Sequence, residues 1–411
     1  MPARAEAFRL GVNYWPSESA MGWLQHYDPD VVRRDMGRIA AAGMDTVRLF
    51  LRWEDLQPTS HDVDPATLNH VVDAADAAAD AGIDLVVTLF TGHMSGVNWI
   101  PPWALGGGDG DDRFRVVSAS RVQPGRRVLR NWYTDPDLIV AQTHLAERVS
   151  QVLAGHPAVW AWDLGNENSN CTIPPDAAVA HRWLETMTST LRASDPDVLI
   201  TVGTHMEDLE YDRVIGPAEA ARWCDFVCMH GYPAYAPWAS GPSDEQLVPF
   251  LAAITAWLAD DAPVLFAEFG QSTAPRGQMP VGHQVEETTA AGFTGWTLDA
   301  LRDGGAIGAL LWCYGDYDAK LFGDAPLDEA THERTFGLWR ADGTPKPVVA
   351  TITGRRGQLQ LPPNGHRSWL DVTPGEFAGD RPRQLVRLYQ RYRAFVDEPA
   401  VSQNGDDSHL R

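Results

Sequence analysis

Lysine is nearly absent from this chain. Of its 411 residues only Lys320 and Lys346 are lysines, so Schiff-base chemistry and lysine-cradled phosphates have almost no candidates. Basic residues as a class are outnumbered, 33 Lys+Arg against 55 Asp+Glu, for a formal net charge of −22. A field of that sign repels phosphate backbones and anionic lipid, and so argues against nucleic acid and membrane surfaces as partners. No apolar run approaches the roughly 18 residues of a membrane span. The opening MPARAEAF lacks the apolar stretch of a signal peptide, so the expected location is the cytoplasm. Cysteine is scarce. Cys171, Cys224, Cys228 and Cys313 suit reduced thiols, and the one close pair, without a second pair or ordered histidines, makes a poor zinc site. They read as small buried hydrophobes. No Gly-rich phosphate turn follows an early strand and no G-x-S-x-G elbow occurs, which counts against dinucleotide binding and serine hydrolysis.

What the chain does have is regular alternation. Near-continuous apolar runs, the pattern of parallel strands buried on both faces, fall at 8–15, 45–53, 84–93, 158–167, 198–205, 225–233, 263–270 and 307–315. Between them lie amphipathic or Ala-rich helical stretches at 31–43, 65–82, 138–155, 176–194 and 286–304, several stopping at Gly43, Gly82 or Gly155, as helix C-termini do. Length alone would allow two or three domains, but eight strands alternating with helices predict a single (β/α)8 barrel over 1–355. An open doubly wound sheet is the alternative, and it lacks its phosphate turn. Residues 356–411 read as a C-terminal extension with one Arg-rich helix (382–395, capped by Asp380) and a loose tail from 397.

Barrel chemistry gathers at the C-terminal ends of the strands. The segments after strands 3, 6 and 8 (94–135, 234–242 and 316–339) are long enough to wall in a pocket. In the first of them Trp99, Trp103 and Trp132 offer apolar walls, and Tyr235 and Trp238 in the second offer a lining for the leaving-group side. The chain's 16 tryptophans supply flat faces on which sugar rings stack. Strand 4 ends on Asn166 and Glu167, and strand 7 carries Glu268. A single carboxylate in such a place reads first as a salt-bridged scaffold group. Two of them, with Arg48, His93, Asn166, His230, Tyr232 and Trp312 also near strand ends, point to a site. Carboxyls facing each other about 5–5.5 Å apart suit retaining glycoside hydrolysis. His93, His205 and His230 also end strands, but strand 1 carries Asn13, Tyr14 and Trp15 in place of an H-x-H, so neither a metal nor another cofactor is expected.

These residues carry a resemblance to the glycoside hydrolases of clan A, and most to glycoside hydrolase family 5. WDLGNE (162–167) resembles the family's strand-4 motif and LFAEFG (265–270) its strand-7 motif. Arg48 matches the strand-2 arginine, His93 the strand-3 histidine, His230 and Tyr232 the strand-6 His-x-Tyr, and Trp312 the strand-8 tryptophan. The resemblance implies Glu167 as acid/base and Glu268 as nucleophile, with Asn166 on the sugar 2-OH, Tyr232 and Arg48 holding Glu268, and Trp312 under the ring. Asn168 departs from the proline that many members carry after the Asn-Glu pair. The stretch 88–105 resembles exo-acting, β-mannosidase-like members. The expected activity is therefore a retaining β-glycosidase releasing terminal sugars, with β-mannosides first, from an oligosaccharide substrate. An endo-β-1,4-mannanase or cellulase, and a non-catalytic carbohydrate-binding barrel, are the other readings.

Overall fold

The computed structural model describes residues 7–106, 113–119, 121–123, 128–358, 360–361 and 367–397. Eight parallel strands close a barrel: β1 (Arg9–Tyr14), β2 (Thr46–Arg52), β3 (Asp84–Thr91), β4 (Val159–Asn166), β5 (Leu199–His205), β6 (Val227–His230), β7 (Val264–Phe269) and β8 (Gly308–Leu311). Each pairs with its neighbours in sequence, and β1 closes the ring on β8. All eight lie inside the apolar runs, and β1, β2 and β7 are buried at every position, as strands between an inner core and an outer helical ring must be.

The helices follow the strands in turn: α1 (Pro29–Ala41), α2 (Pro65–Ala81), α3 (Pro136–Leu153), α4 (Ala177–Ser194), α5 (Pro217–Trp223), α6 (Leu247–Leu258), α7 (Glu287–Asp303) and α8 (Pro347–Thr353). Three of them start on Asp-Pro. Asp28, Asp64 and Asp135 accept backbone N–H bonds from the first turn, and the proline fills the position whose own N–H has no helical partner. Gly82 caps α2 in the left-handed region at φ 70°, a conformation that costs glycine little.

The chain beyond the barrel differs from the single predicted helix. Two helices stand there, Pro374–Gly379 and α9 (Arg381–Asp397). The first forms because Thr373 and Glu376 cap one another's backbone N–H reciprocally. Both pack on α6. Phe377 meets Trp257, and Trp369, Tyr389 and Tyr392 surround Phe250. The predicted loose tail lies, from 398 on, outside the described residues.

The segment after β3 builds a small sheet over the barrel mouth. His93–Met94 pairs with Val97–Trp99, which pairs with Arg115–Ser118 and through it with Arg121–Val122. Arg115 ties this sheet to the segment after β8 through a bidentate pair with Asp328 at 2.9 and 2.7 Å. Arg113 ties it to the segment after β5 through Glu207 at 2.8 Å.

Candidate active site

The site is built round Arg48, which is fully buried in β2. Its Nε and Nη2 donate to Asp163 Oδ2 at 2.9 and 2.6 Å, its Nη1 to Glu268 Oε1 at 2.5 Å, and its Nη2 also to Asn166 Oδ1 at 3.0 Å. Asp163 is held in turn by the Thr88 hydroxyl and by the Gly203 backbone N–H, both at 2.9 Å. Buried ion pairs repay their desolvation only when further hydrogen bonds satisfy the charged groups, and here each Arg48 nitrogen donates and both Asp163 oxygens accept. Residue 203 has to be glycine, since a Cβ there would stand 2.6 Å from the Gly165 carbonyl oxygen and 2.8 Å from Arg48 Nη2.

Glu268, 4% exposed in β7, receives Arg48 on Oε1 and the Tyr232 hydroxyl on Oε2 at 2.9 Å. Glu167 is the residue just after β4. Its φ of 48° lies in the left-handed region, a strained place for a non-glycine residue that often marks a functional position. The next turn holds it there, with Asn168 donating back to the Leu164 carbonyl at 3.2 Å, so the residue at the family's proline position closes the turn with its side chain. Three histidines and an amide surround the Glu167 carboxyl. His230 Nδ1 lies 3.1 Å from Oε1. Asn170 Nδ2 donates to Oε2 at 3.0 Å, with His205 Nδ1 3.6 Å and His93 Nε2 4.0 Å from the same oxygen. One carboxylate oxygen of each glutamate and a ring nitrogen of His230 lie within 4.8 Å of one another.

The two carboxyls titrate as a pair. Burial pushes Glu268 up, and the negative charge of Glu167 adds to this, while His230, Arg48 and the Tyr232 hydroxyl pull it down. Burial pushes Glu167 up as well, but the charges of His205, His230 and His93 and the His230 hydrogen bond outweigh it, leaving Glu167 low. The two pulls differ in kind. Arg48 is charged at every pH, whereas a histidine contributes only while protonated. Burial drives His93 toward the neutral form, while His205, backed by Asp208, is raised despite its burial.

The remaining predicted residues divide into two groups. Asn166 donates to the His93 carbonyl at 3.0 Å, His93 Nδ1 meets Asn98 Oδ1 at 2.7 Å, and Trp312, just past β8, donates from Nε1 to Glu333 Oε2 at 3.2 Å. These belong to the mouth. Trp99 lies over it with the Arg52 guanidinium 4.7 Å from its ring. Trp132 lies beneath the loop and not at the mouth, and Trp103 is half-buried. Both rings pack edge-on against Trp53, and Trp132 is fully buried, because apolar area so large is worth more under the loop than beside it. Tyr235 and Trp238 also part company. The Tyr235 hydroxyl reaches Glu333 at 3.0 Å, while Trp238 packs on Tyr389 of α9 and donates to Glu210.

Sequence reasoning missed Asp163, Glu333 and the pairing of His205 with Asp208. Asp163 lies inside the quoted WDLGNE and faces Arg48 only once the barrel closes. His205 Nε2 lies 3.0 Å from the Ser169 hydroxyl, which donates to Asp208 Oδ1 at 2.6 Å.

Glu167, His230 and Glu268 are also the set of three potential metal ligands that converges among the described residues. Both oxygens of Glu268 already accept from Arg48 and Tyr232, and a cation placed there would face the Arg48 charge, so the set fits a metal poorly. No helix of the described residues is long and apolar enough to cross a membrane.

Comparison with known proteins places these residues in context. Residues 10–318 match the family model for cellulase (glycosyl hydrolase family 5). Among curated proteins, mannan endo-1,4-β-mannosidase 2 of Oryza sativa subsp. japonica is 29% identical over 193 residues, 38% of this chain and 39% of that protein. The match thus spans well under half the length of this relative. Among solved structures, GH5_18 from Streptomyces cattleya in complex with Manβ1-4GlcNAc is 26% identical, with 94% of this chain and 90% of that one covered at a TM-score of 0.76. The exo-β-1,4-mannosidase of Opitutaceae bacterium strain TAV5 is 25% identical, covering 86% of this chain and 61% of that one, at a TM-score of 0.70.

Proposed function

The chain belongs to glycosyl hydrolase family 5, and from that premise we propose that it is a retaining exo-β-mannosidase acting on terminal β-mannosides of short oligosaccharides, Manβ1-4GlcNAc among them. One observation carries the reading. Two strand-end carboxyls with oxygens within 4.8 Å stand in a mouth overhung by the segments after β3, β5 and β8, which Arg113 and Arg115 tie together.

In this reading Glu268 attacks the anomeric carbon, and Arg48 keeps it ionised. The imidazoles that pull Glu167 down do so only while protonated; in the state in which they are neutral, burial raises Glu167 and it holds the proton that it gives to the leaving oxygen, then takes one from the water that releases the sugar. Asn166 holds the 2-OH, where the hydrogen bond strengthens as the oxocarbenium-like transition state forms. Trp312 lies beneath the ring. The proposed chemistry needs no cofactor. The four free cysteines suit a reducing compartment, and a cytoplasmic site of action is part of the proposal.

The test is hydrolysis of nitrophenyl β-mannoside, β-glucoside and β-galactoside and of Manβ1-4GlcNAc, with the anomer of the first product read by NMR. β-Mannoside turnover with retained configuration is expected, and no turnover of any of the four overturns the proposal in favour of a carbohydrate-binding barrel. Endo-mannanase action is the second reading, favoured by the curated rice relative. Early digests of mannohexaose separate the two, since exo action gives mannose from the first time point and endo action gives di-, tri- and tetrasaccharides together.

A further inference from the structure

The proposed chemistry leaves a deep carboxylate at the mouth, Glu333, unused. Glu333 lies in the short turn Thr331–Thr335 after β8 and is 6% exposed. Three neutral donors from three parts of the mouth converge on it: Trp312 Nε1 at 3.2 Å and the Ser95 hydroxyl at 3.1 Å on Oε2, and the Tyr235 hydroxyl at 3.0 Å on Oε1. Among the described residues its one ionic neighbour is His332, with Nε2 3.5 Å from Oε1. Neither arginine nor lysine pairs with it there. A carboxylate buried without a permanent cation is costly, and an amide would meet the same groups at less cost, its oxygen accepting from Trp312 and Ser95 and its NH2 donating to the Tyr235 hydroxyl.

The charge has a direction. The Tyr232 and Tyr235 rings lie 5.4 Å apart, with one hydroxyl on Glu268 and the other on Glu333, and both tyrosines are raised by burial and by the charges of Glu167, Glu268 and Glu333. The Arg48 guanidinium is already committed to Asp163 and Glu268.

We propose that Glu333 selects the terminal sugar: its carboxylate accepts hydroxyls at the edge of the ring stacked on Trp312, and its negative charge turns away sugars that themselves carry a carboxylate. This rests on the reading of Trp312 as the platform under that ring. A carboxylate has about four lone-pair directions, three of which are met by Trp312, Ser95 and Tyr235, so a sugar hydroxyl can take the fourth or share with the two protein hydroxyls. Such a bond is charge-assisted and roughly twice as strong as a neutral one. A uronate would bring a second buried negative charge to the same place, a repulsive element against the wrong sugar.

The test compares the wild type with Glu333→Gln, which keeps the shape and removes the charge. In the wild type, mannose is expected to inhibit competitively while mannuronate does not at about fifty times the mannose inhibition constant. In Glu333→Gln the KM for nitrophenyl β-mannoside should rise about tenfold or more with a smaller change in kcat, the mannuronate and mannose constants should draw together, and the thermal midpoint should stay within about 2 °C. Mannuronate inhibiting the wild type as well as mannose does overturns the inference without reference to any variant. A lowered thermal midpoint with unchanged KM and unchanged discrimination also overturns it and makes Glu333 a structural tie. If the wild type cleaves a different neutral β-glycoside, the β-mannosidase reading fails by itself, and the same comparison with that sugar and its uronate still decides the role of Glu333.

Discussion

Arg48 donates to Glu268 at 2.5 Å while Asp163 grips its other two nitrogens at 2.6 and 2.9 Å. The guanidinium therefore cannot swing away, and a permanent positive charge stays fixed beside the carboxylate that, as the proposed nucleophile, has to remain ionised. Much of the behaviour expected of this site follows from that arrangement.

Replacing Glu268 by alanine should abolish hydrolysis, because no covalent glycosyl-enzyme can form. A residual rate of about 10⁻³ of wild type or less is expected. Azide should restore turnover of activated substrates and give a glycosyl azide of inverted configuration. A variant that keeps more than a few per cent of activity on any β-glycoside would remove Glu268 from the nucleophile's role.

Glu167→Ala should slow poor leaving groups far more than dinitrophenyl ones, since only the former need a proton on the departing oxygen. Comparing kcat/KM for Manβ1-4GlcNAc and for an activated aryl mannoside checks this. Equal losses on both would argue against an acid role.

Tyr232→Phe bears on pH. The Tyr232 hydroxyl donates to Glu268 Oε2 and pulls down a carboxyl that burial raises. Removing that donor lets Glu268 rise further, so the protonated, inactive form persists to higher pH. The acid limb of kcat/KM should move upward by about half a unit to one unit, with a loss of roughly tenfold at the optimum. A limb that stays in place or moves down would contradict the assignment.

Lys346, one of the two lysines, is 4% exposed. Its Nζ donates to Asp316 Oδ1 at 2.7 Å, to the Thr273 hydroxyl at 2.8 Å and to the Thr335 carbonyl at 3.0 Å. Lys346→Met strands a buried carboxylate and should cost roughly 3–5 kcal/mol of stability. Adding Asp316→Asn should recover part of the loss in denaturant titrations. If the single variant is as stable as wild type, the pair contributes nothing.

Prolonged EDTA treatment should leave activity intact, because Arg48 and Tyr232 already occupy the Glu268 oxygens that a metal would need. Activity lost to chelation and restored by zinc would reassign Glu167, His230 and Glu268 as ligands.

The barrel was legible in the sequence because its signals are local. Apolar runs place all eight strands, amphipathic stretches, several with glycine stops, place α1 to α4 and α7, and the strand ends point to Glu167, Glu268, Arg48, His93, Asn166, His230, Tyr232 and Trp312 without coordinates. Other features depend on groups far apart in the chain. Asp163 and Arg48, 115 residues apart, meet only when β2 and β4 take their places in the closed ring. Glu333 lies 238 residues from Ser95, which donates to it. Trp103 and Trp132 carry the same composition signal as a sugar platform, but the fold spends them on Trp53. Whether an aromatic face meets a ligand or the core depends on what packs over it, which periodicity along one chain does not encode. Strand and helix periods are properties of neighbouring residues, whereas the charge state and exposure of a side chain are set by everything within a few ångströms of it, and only the tertiary structure brings those groups together.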